Sequence, residues 1–205
     1  TLVSVWALRL AGYIAWRNWG ADEDYRYQRI RANNEPRFEF KSLYIVFGLQ
    51  ALLALLISLP LLVAVQSDAP LGALDFVGAA LWLVGLVFEA GGDWQLARFR
   101  ANPDNRGKVL DHGLWSITRH PNYFGDFCVW WGFYLIALSA GGWWTLLSPL
   151  LMSTLLLRVS GVAMLEQDIS DRRPAYARYI QQTNAFFPGP RRTGATPVTE
   201  QGDPA

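Results

Sequence analysis

Residues 42–66, SLYIVFGLQALLALLISLPLLVAVQ, contain no charged side chain, and their reading decides the fold. At 1.5 Å of rise per residue, an apolar core of roughly 22 residues crosses a hydrocarbon layer about 30 Å thick. Pro60 is expected to kink this helix without ending it, because neighbouring helices can satisfy the freed backbone groups.

Working outward, residues 72–92 form a second apolar span, with Glu89 and Asp93 at its lower end. Residues 123–140 form a third span and 143–165 a fourth, separated by the turn-forming Gly141-Gly142 pair. With the apolar stretch 2–16, this predicts an all-α, polytopic membrane bundle with at least five transmembrane helices in this chain. Residues 1–187 are expected to make one membrane-embedded domain, and residues 188–205, rich in Pro, Gly, Thr and charge, a disordered tail. Thr1 is not an initiator and the first apolar stretch lacks the charged lead of a signal peptide, so upstream helices are expected.

Composition agrees with the membrane class. Hydrophobic residues make up 52% of the chain and charged residues 17%, with ten tryptophans and eight tyrosines. A net charge of +1 gives no argument for nucleic acid, so the cations are read by position. All eighteen Lys and Arg except Arg9 lie within or beside residues 17–41, 98–119 and 158–192, and the opposite connections, 66–71 and 139–142, have none. That asymmetry puts the basic loops and the tail on the cytoplasmic side, in the inner membrane for a bacterial source. The single cysteine, Cys128, excludes a disulfide framework and a cysteine-ligated zinc site, and reads as a small packed hydrophobe.

The chemistry concentrates in residues 119–126, Arg-His-Pro-Asn-Tyr-Phe-Gly-Asp, at the mouth of an apolar run. Polar groups beside hydrocarbon are costly unless satisfied, and a bound cofactor is one partner large enough to do so. Glu89 and Asp93, four apart, share one helix face and cannot face lipid; pairing with Arg9 or Arg158 is the structural alternative to contact with a ligand. Arg98, Arg100, Arg106, Lys108 and Arg119, interleaved with Asn102, Asn122 and Tyr123, form a candidate clamp for phosphate oxygens. His120, set before Pro121, is expected at the start of the next helix as a proton donor or phosphate ligand. With no second His or Cys nearby, no metal site is expected. Arg158 and Glu166 share a broad face of the last apolar helix, and Arg158 is read as part of the anion pocket, with snorkelling to headgroups as the alternative. No G-x-G-x-x-G, Walker loop or H-E-x-x-H occurs, so a nucleotide would sit between membrane helices.

The stretch GLWSITRHPNYFGD (113–126), preceded by GDWQLARFRANPDNRGK (92–108) and followed by Trp130-Trp131-Gly132, resembles the bacterial DUF1295 family. That family is similar to the C-terminal part of steroid 5-alpha-reductases, and the likeness runs from the first helix through Pro188. A similar F-R-x-N-P stretch ahead of R-H-P-N-Y-x-G-D occurs in sterol C14 and C7 reductases, whose corresponding half binds NADPH. The resemblance implies that Asp93 and Arg100 match the polar pair after the membrane helix, Asn122 the amide of the cofactor pocket, and Arg158 the phosphate-facing arginine. Glu89 stands where the steroid enzymes have Asn. Trp6 stands where a substrate-polarising Tyr would be expected, and the helix bearing its partner Glu is missing, so the catalytic residues are not assigned.

The implied activity is NADPH-dependent hydride transfer to an alpha,beta-unsaturated carbonyl lipid, steroid-like or other, entering from the bilayer. The block also resembles isoprenylcysteine carboxyl methyltransferases, through Gly113, Arg119, His120, Pro121, Tyr123, Gly125, Arg158 and Glu166. S-adenosylmethionine needs no phosphate clamp, which favours the reductase. A non-catalytic module retaining the nucleotide pocket is a third reading, made credible by Trp6. Sequence leaves the oligomeric state open.

Overall fold

Pro60 shows how the longest uncharged stretch becomes a helix. The computed structural model describes residues 1–20, 25–159, 162 and 174–192, and in it residues 38–66 form one helix. Proline at position 60 deprives the Leu56 carbonyl of its donor four residues on. The Ser148 hydroxyl, from another helix, donates to that carbonyl at 2.5 Å. A second irregularity, the wide turns over Leu43–Gly48, lies in the same helix.

Among the described residues every regular element is helical. Numbered in chain order, they are α1 (Leu2–Asn18), α2 (Tyr25–Asn33), α3 (Phe38–Gln66), α4 (Ala73–Ala101), α5 (Pro121–Ser139), α6 (Trp143–Val159) and α7 (Pro174–Gln182). Two of them, α3 and α4, are long and apolar enough to cross a membrane. Length and composition therefore support two spans here, not the five or more expected.

The boundaries differ from expectation in instructive ways. α3 begins four residues before the uncharged stretch, with Glu39 in its first turn. α4 runs on to Ala101, well past the last purely apolar residue, with Arg98 and Arg100 in its final turn. Acidic starts and basic ends complement the helix dipole, so charge prolongs these helices. Asn102-Pro103 stops α4, because proline disfavours helical geometry in the residue before it. Pro121 occupies the first turn of α5, where its missing N–H costs nothing. Gly141, at φ +81°, makes the expected turn after α5.

α4 and α5 form the centre. They pack antiparallel through glycines spaced seven apart: Gly78, Gly85 and Gly92 on α4 face Gly132, Gly125 and Pro121 on α5. A Cβ on Gly85 would lie 2.5 Å from the Gly125 carbonyl oxygen, and one on Gly132 2.7 Å from that of Gly78. Only glycine permits such close backbone approach. Around this pair Ile57, Trp82, Val129, Trp130 and Phe133 make the core, with Trp6 of α1 and Leu151, Met152 and Leu155 of α6 against it. At the turn end, the Asp75 carboxylate accepts from the Gly72 amide (2.8 Å) and the Ser139 hydroxyl (2.6 Å), fastening α4 to α5.

Large apolar side chains point outward instead. Phe47, Leu55, Leu62 and Val65 of α3 and Phe76, Val77, Leu83 and Val87 of α4 are all more than half exposed. A soluble surface rarely carries so continuous an apolar patch, whereas hydrocarbon accepts it.

Candidate functional site

Two charged groups on α4 organise the interior. Glu89 and Asp93, one turn apart, are both buried, and their partners come from α1. Arg9 forms an ion pair with Glu89, and its Nη1 donates to Asp93 Oδ2 at 2.9 Å. Trp6 Nε1 donates to Glu89 Oε2 at 2.9 Å, and the Tyr13 hydroxyl reaches the Asp93 carbonyl at 3.5 Å. Trp6, Arg9 and Tyr13 follow helical spacing, so one stripe of α1 lies parallel to α4. From α5, Asn122 Nδ2 donates to Asp93 Oδ1 at 3.4 Å. One cation thus faces two carboxylates among the described residues, and the pairing with Arg9 weighed from sequence is what forms.

One turn beyond Asn122, Asp126 adds a further carboxyl, whose Oδ1 is buried and has no hydrogen-bond partner. Neither Trp6 nor Asp126 stood among the candidate binding residues. Arg9 carried a signal, as the one cation outside the three basic regions. Asp126 carried a weaker one, its place four positions after Asn122.

The second part of the site is a groove of about 620 Å³ at the end of α4, lined by Trp94, Gln95, Arg98, Phe99, Ala101, Asn102, Asn105 and His112. Its volume falls within the ~300–1,000 Å³ of small-ligand sites. Arg98 lies over the Trp94 ring, 5.4 Å from its centroid, and Phe99 faces His112 at 6.2 Å. Gln95 accepts from the Leu114 amide (3.0 Å) and Trp115 Nε1 donates to the Gly92 carbonyl (3.1 Å), which fixes the 111–119 connection against α4. Asn102 accepts from the Asp104 amide at 3.0 Å, so its side chain both caps the following turn and lines the groove. Arg100, Arg106 and Lys108 are exposed nearby, and Arg100 lies within electrostatic reach of Tyr13.

The remaining candidates separate. The Arg119 guanidinium donates to the carbonyls of Thr183 (2.5 Å) and Ile180 (3.1 Å), and its amide to that of Asn184 (2.9 Å). Arg119 therefore holds a C-terminal strap, residues 183–192, against the start of α5. Thr118 Oγ1 donates to the Phe186 carbonyl at 2.8 Å, and the Gly189 amide to that of Ile117 at 3.0 Å. The Arg191 guanidinium pairs with Asp111 at 2.5 Å. Residues 188–192, assigned from sequence to the start of a disordered tail, are hydrogen-bonded back onto the domain. Tyr179 anchors the strap through its hydroxyl on the Trp115 carbonyl at 2.5 Å. Burial, reinforced by Tyr176, holds that phenol above its ordinary range. His120 is buried at the start of α5, its ring stacked on Tyr123 with centroids 5.6 Å apart. Arg158 is exposed near the end of α6, and Glu166 lies outside the described residues.

A family model described as "Protein of unknown function (DUF1295)" matches residues 1–183. The chain belongs to the DUF1295 family. Among known proteins it is similar to 3-oxo-5-alpha-steroid 4-dehydrogenase 1 of Rattus norvegicus, 36% identical over 81 residues, which is 40% of this chain and 30% of that protein. The Bos taurus protein of the same name is 33% identical over 66 residues, 32% of this chain and 26% of its own length. Probable O-methyltransferase ustE of Ustilaginoidea virens is 40% identical over 65 residues, 32% of this chain and 22% of that protein. The matched parts of this DUF1295 chain thus span less than a third of each of these relatives. No solved structure matches it.

Proposed function

We propose that this DUF1295 protein is an integral membrane reductase that uses NADPH to reduce the C=C bond of an alpha,beta-unsaturated carbonyl lipid. The observation that carries the reading is the groove at the end of α4, whose lining begins at Trp94, the residue after Asp93 of the buried Asp93–Asn122 contact. Its donor set fits a dinucleotide. Arg98 in the groove's lining, and Arg100, Arg106 and Lys108 exposed on the adjoining residues, meet no carboxylate among the described residues, and they offer planar and point cations to phosphate oxygens. Trp94, Phe99 and His112 offer ring faces to a base, and Asn102 and Asn105 offer amides. Three relatives named as steroid dehydrogenases support the oxidoreductase class.

NADPH, when bound, supplies the hydride. The chain's own residues supply orientation and charge. Arg98 and its neighbours would grip phosphate at the helix end, while Asn122 and Asp93 present an amide and a carboxylate further in. Arg9 and Trp6 hold Glu89 and Asp93 in fixed rotamers. His120 and Tyr123 sit as a stacked pair beside Asn122. Arg119 acts through the strap, and Arg158 and Glu166 stay proposed contributors from the far side. The basic connections face the cytoplasm in this reading, the cofactor enters there, and the lipid enters from the bilayer.

A methyltransferase is the second reading, favoured by the match to the probable O-methyltransferase. Thermal unfolding of the purified protein with NADPH, NADH and S-adenosylmethionine separates the two. At about a hundredfold excess over Kd, NADPH should raise Tm by on the order of 5–10 °C. Stabilisation by S-adenosylmethionine alone overturns the reductase.

A further inference from the structure

The connection between α4 and α5 is held from two sides. Toward α4, the Leu114 amide donates to Gln95 and the Trp115 indole to the Gly92 carbonyl. Gly113, at φ +62°, permits that approach, since a Cβ there would lie 2.6 Å from Gln95 Nε2. Gln95 and His112 both line the groove. From the other side comes the strap: the carbonyls of Trp115 and Ile117 accept from the Tyr179 hydroxyl and the Gly189 amide, and Thr118 and Arg119 donate to strap carbonyls. The segment that supplies one lining residue of the groove therefore takes its shape from the strap as well as from α4.

The two ends of this contact differ in kind. At one end Thr118, Arg119, Tyr179 and Phe186 are buried, which fastens the strap firmly. At the other, Arg191 meets Asp111 with the side chains 41% and 49% exposed, and an ion pair so open to water contributes little to stability and weakens with salt. Its place gives it another use. Asp111 precedes His112 of the lining, so its carboxylate stands one residue from a groove that carries Arg98, with Arg100, Arg106 and Lys108 exposed nearby. An uncovered negative charge there opposes the binding of an anion, and Arg191 cancels it. Asp104, beside Asn105 of the lining, makes no ion pair among the described residues and is not touched by the strap, so seating the strap changes the local charge by that of Asp111 alone.

We propose that the Arg191–Asp111 pair is an electrostatic latch on the groove: seating the end of the strap masks the Asp111 carboxylate and so raises the affinity of the groove for a phosphorylated ligand. This rests on the reading of the groove as a phosphate-binding site and adds its regulation. With the strap seated, the cations of the groove act unopposed by Asp111. With its end released, a bare carboxylate faces the incoming phosphate. Linkage makes the effect reciprocal, so a bound ligand holds the strap down by the same factor by which the strap improves binding.

The test compares Arg191→Gln, Asp111→Asn and the double variant with the native protein in lipid nanodiscs, titrating NADPH and inorganic pyrophosphate and following hydrogen exchange over residues 184–189. All three variants lose the ion pair, so a purely structural clamp predicts that all three bind more weakly. The latch predicts a different order: at low salt Arg191→Gln weakens binding about threefold, the double variant binds like the native protein, and Asp111→Asn binds at least as tightly. These differences should vanish at about 1 M salt, where the screening length is about 3 Å. Saturating NADPH should also raise protection of the strap by about threefold more in the native protein than in Asp111→Asn. Equal weakening in all three variants, or unchanged affinity in Arg191→Gln, overturns the latch while leaving the reductase reading in place. The predicted order with pyrophosphate, but no binding of NADPH, keeps the latch and removes the reductase reading. Binding of neither probe to the native protein overturns both.

Discussion

Arg9 is the residue on which the interior depends. Its side chain is 21% exposed, while those of Glu89 and Asp93 are 5% and 9%. Removing one partner of a buried charge group costs about 3–5 kcal/mol, because the other charges stay behind uncompensated. Arg9→Met should therefore lower the unfolding free energy in detergent by about that amount. The triple change with Glu89→Gln and Asp93→Asn should restore most of it. Loss below 1 kcal/mol in Arg9→Met would mean that the carboxylates do not rely on this cation.

At the scale of elements, the contact between α4 and α5 is set by what glycine lacks. Gly85→Ala drives a methyl group against the Gly125 carbonyl and Val129, and overpacking of this kind costs about 1–3 kcal/mol. The expected outcome is a lower Tm, measured by differential scanning, with no loss or a small gain for Gly12→Ala, a helix-interior position whose Cβ meets nothing within 4 Å. These same elements show what could be read from residues alone. α3 was legible because an uncharged stretch of that length has few soluble uses. The final turns of α4 were not, since apolarity stops at Gly92 while helical hydrogen bonding continues through charged residues to Ala101. Asp93 and Asn122 both stood among the candidate binding residues, but their contact at 3.4 Å was not read from the sequence, because it depends on how α4 and α5 are set side by side. The grip of Arg119 on the strap left no trace in the sequence, because its acceptors are backbone carbonyls, which every residue possesses. The glycine register was visible only once helix faces had been set against each other, and the same step was needed to choose Arg9 over Arg158 as the partner of Glu89.

For the whole molecule, the strap ties the C-terminal segment to the connection that backs the groove. Tyr179→Phe removes its anchor on Trp115 and should cost about 1–1.5 kcal/mol, raising hydrogen exchange over residues 184–189. The pH dependence has a definite sign. A phenol whose folded pKa is raised contributes stability that is fully present below the unfolded value of about 10 and declines as pH rises past it. Protection of the strap, taken relative to the base-catalysed intrinsic exchange rate, should thus fall above that pH in the native protein, and the fall should vanish in Tyr179→Phe. An unchanged alkaline profile in the variant would assign the effect to another group.

The spacing of Arg9 from its counter-ions also constrains how the chain is put into a bilayer. Synthesis delivers the guanidinium first and its two carboxylates 80 and 84 positions later. Each charge entering alone faces a transfer cost of roughly 2.5–3.5 kcal/mol at mid-bilayer. On the proposed membrane placement neither α1 nor α4 is a comfortable guest of the lipid until the other arrives, so α1 would wait at the insertion machinery, or near the surface, for α4.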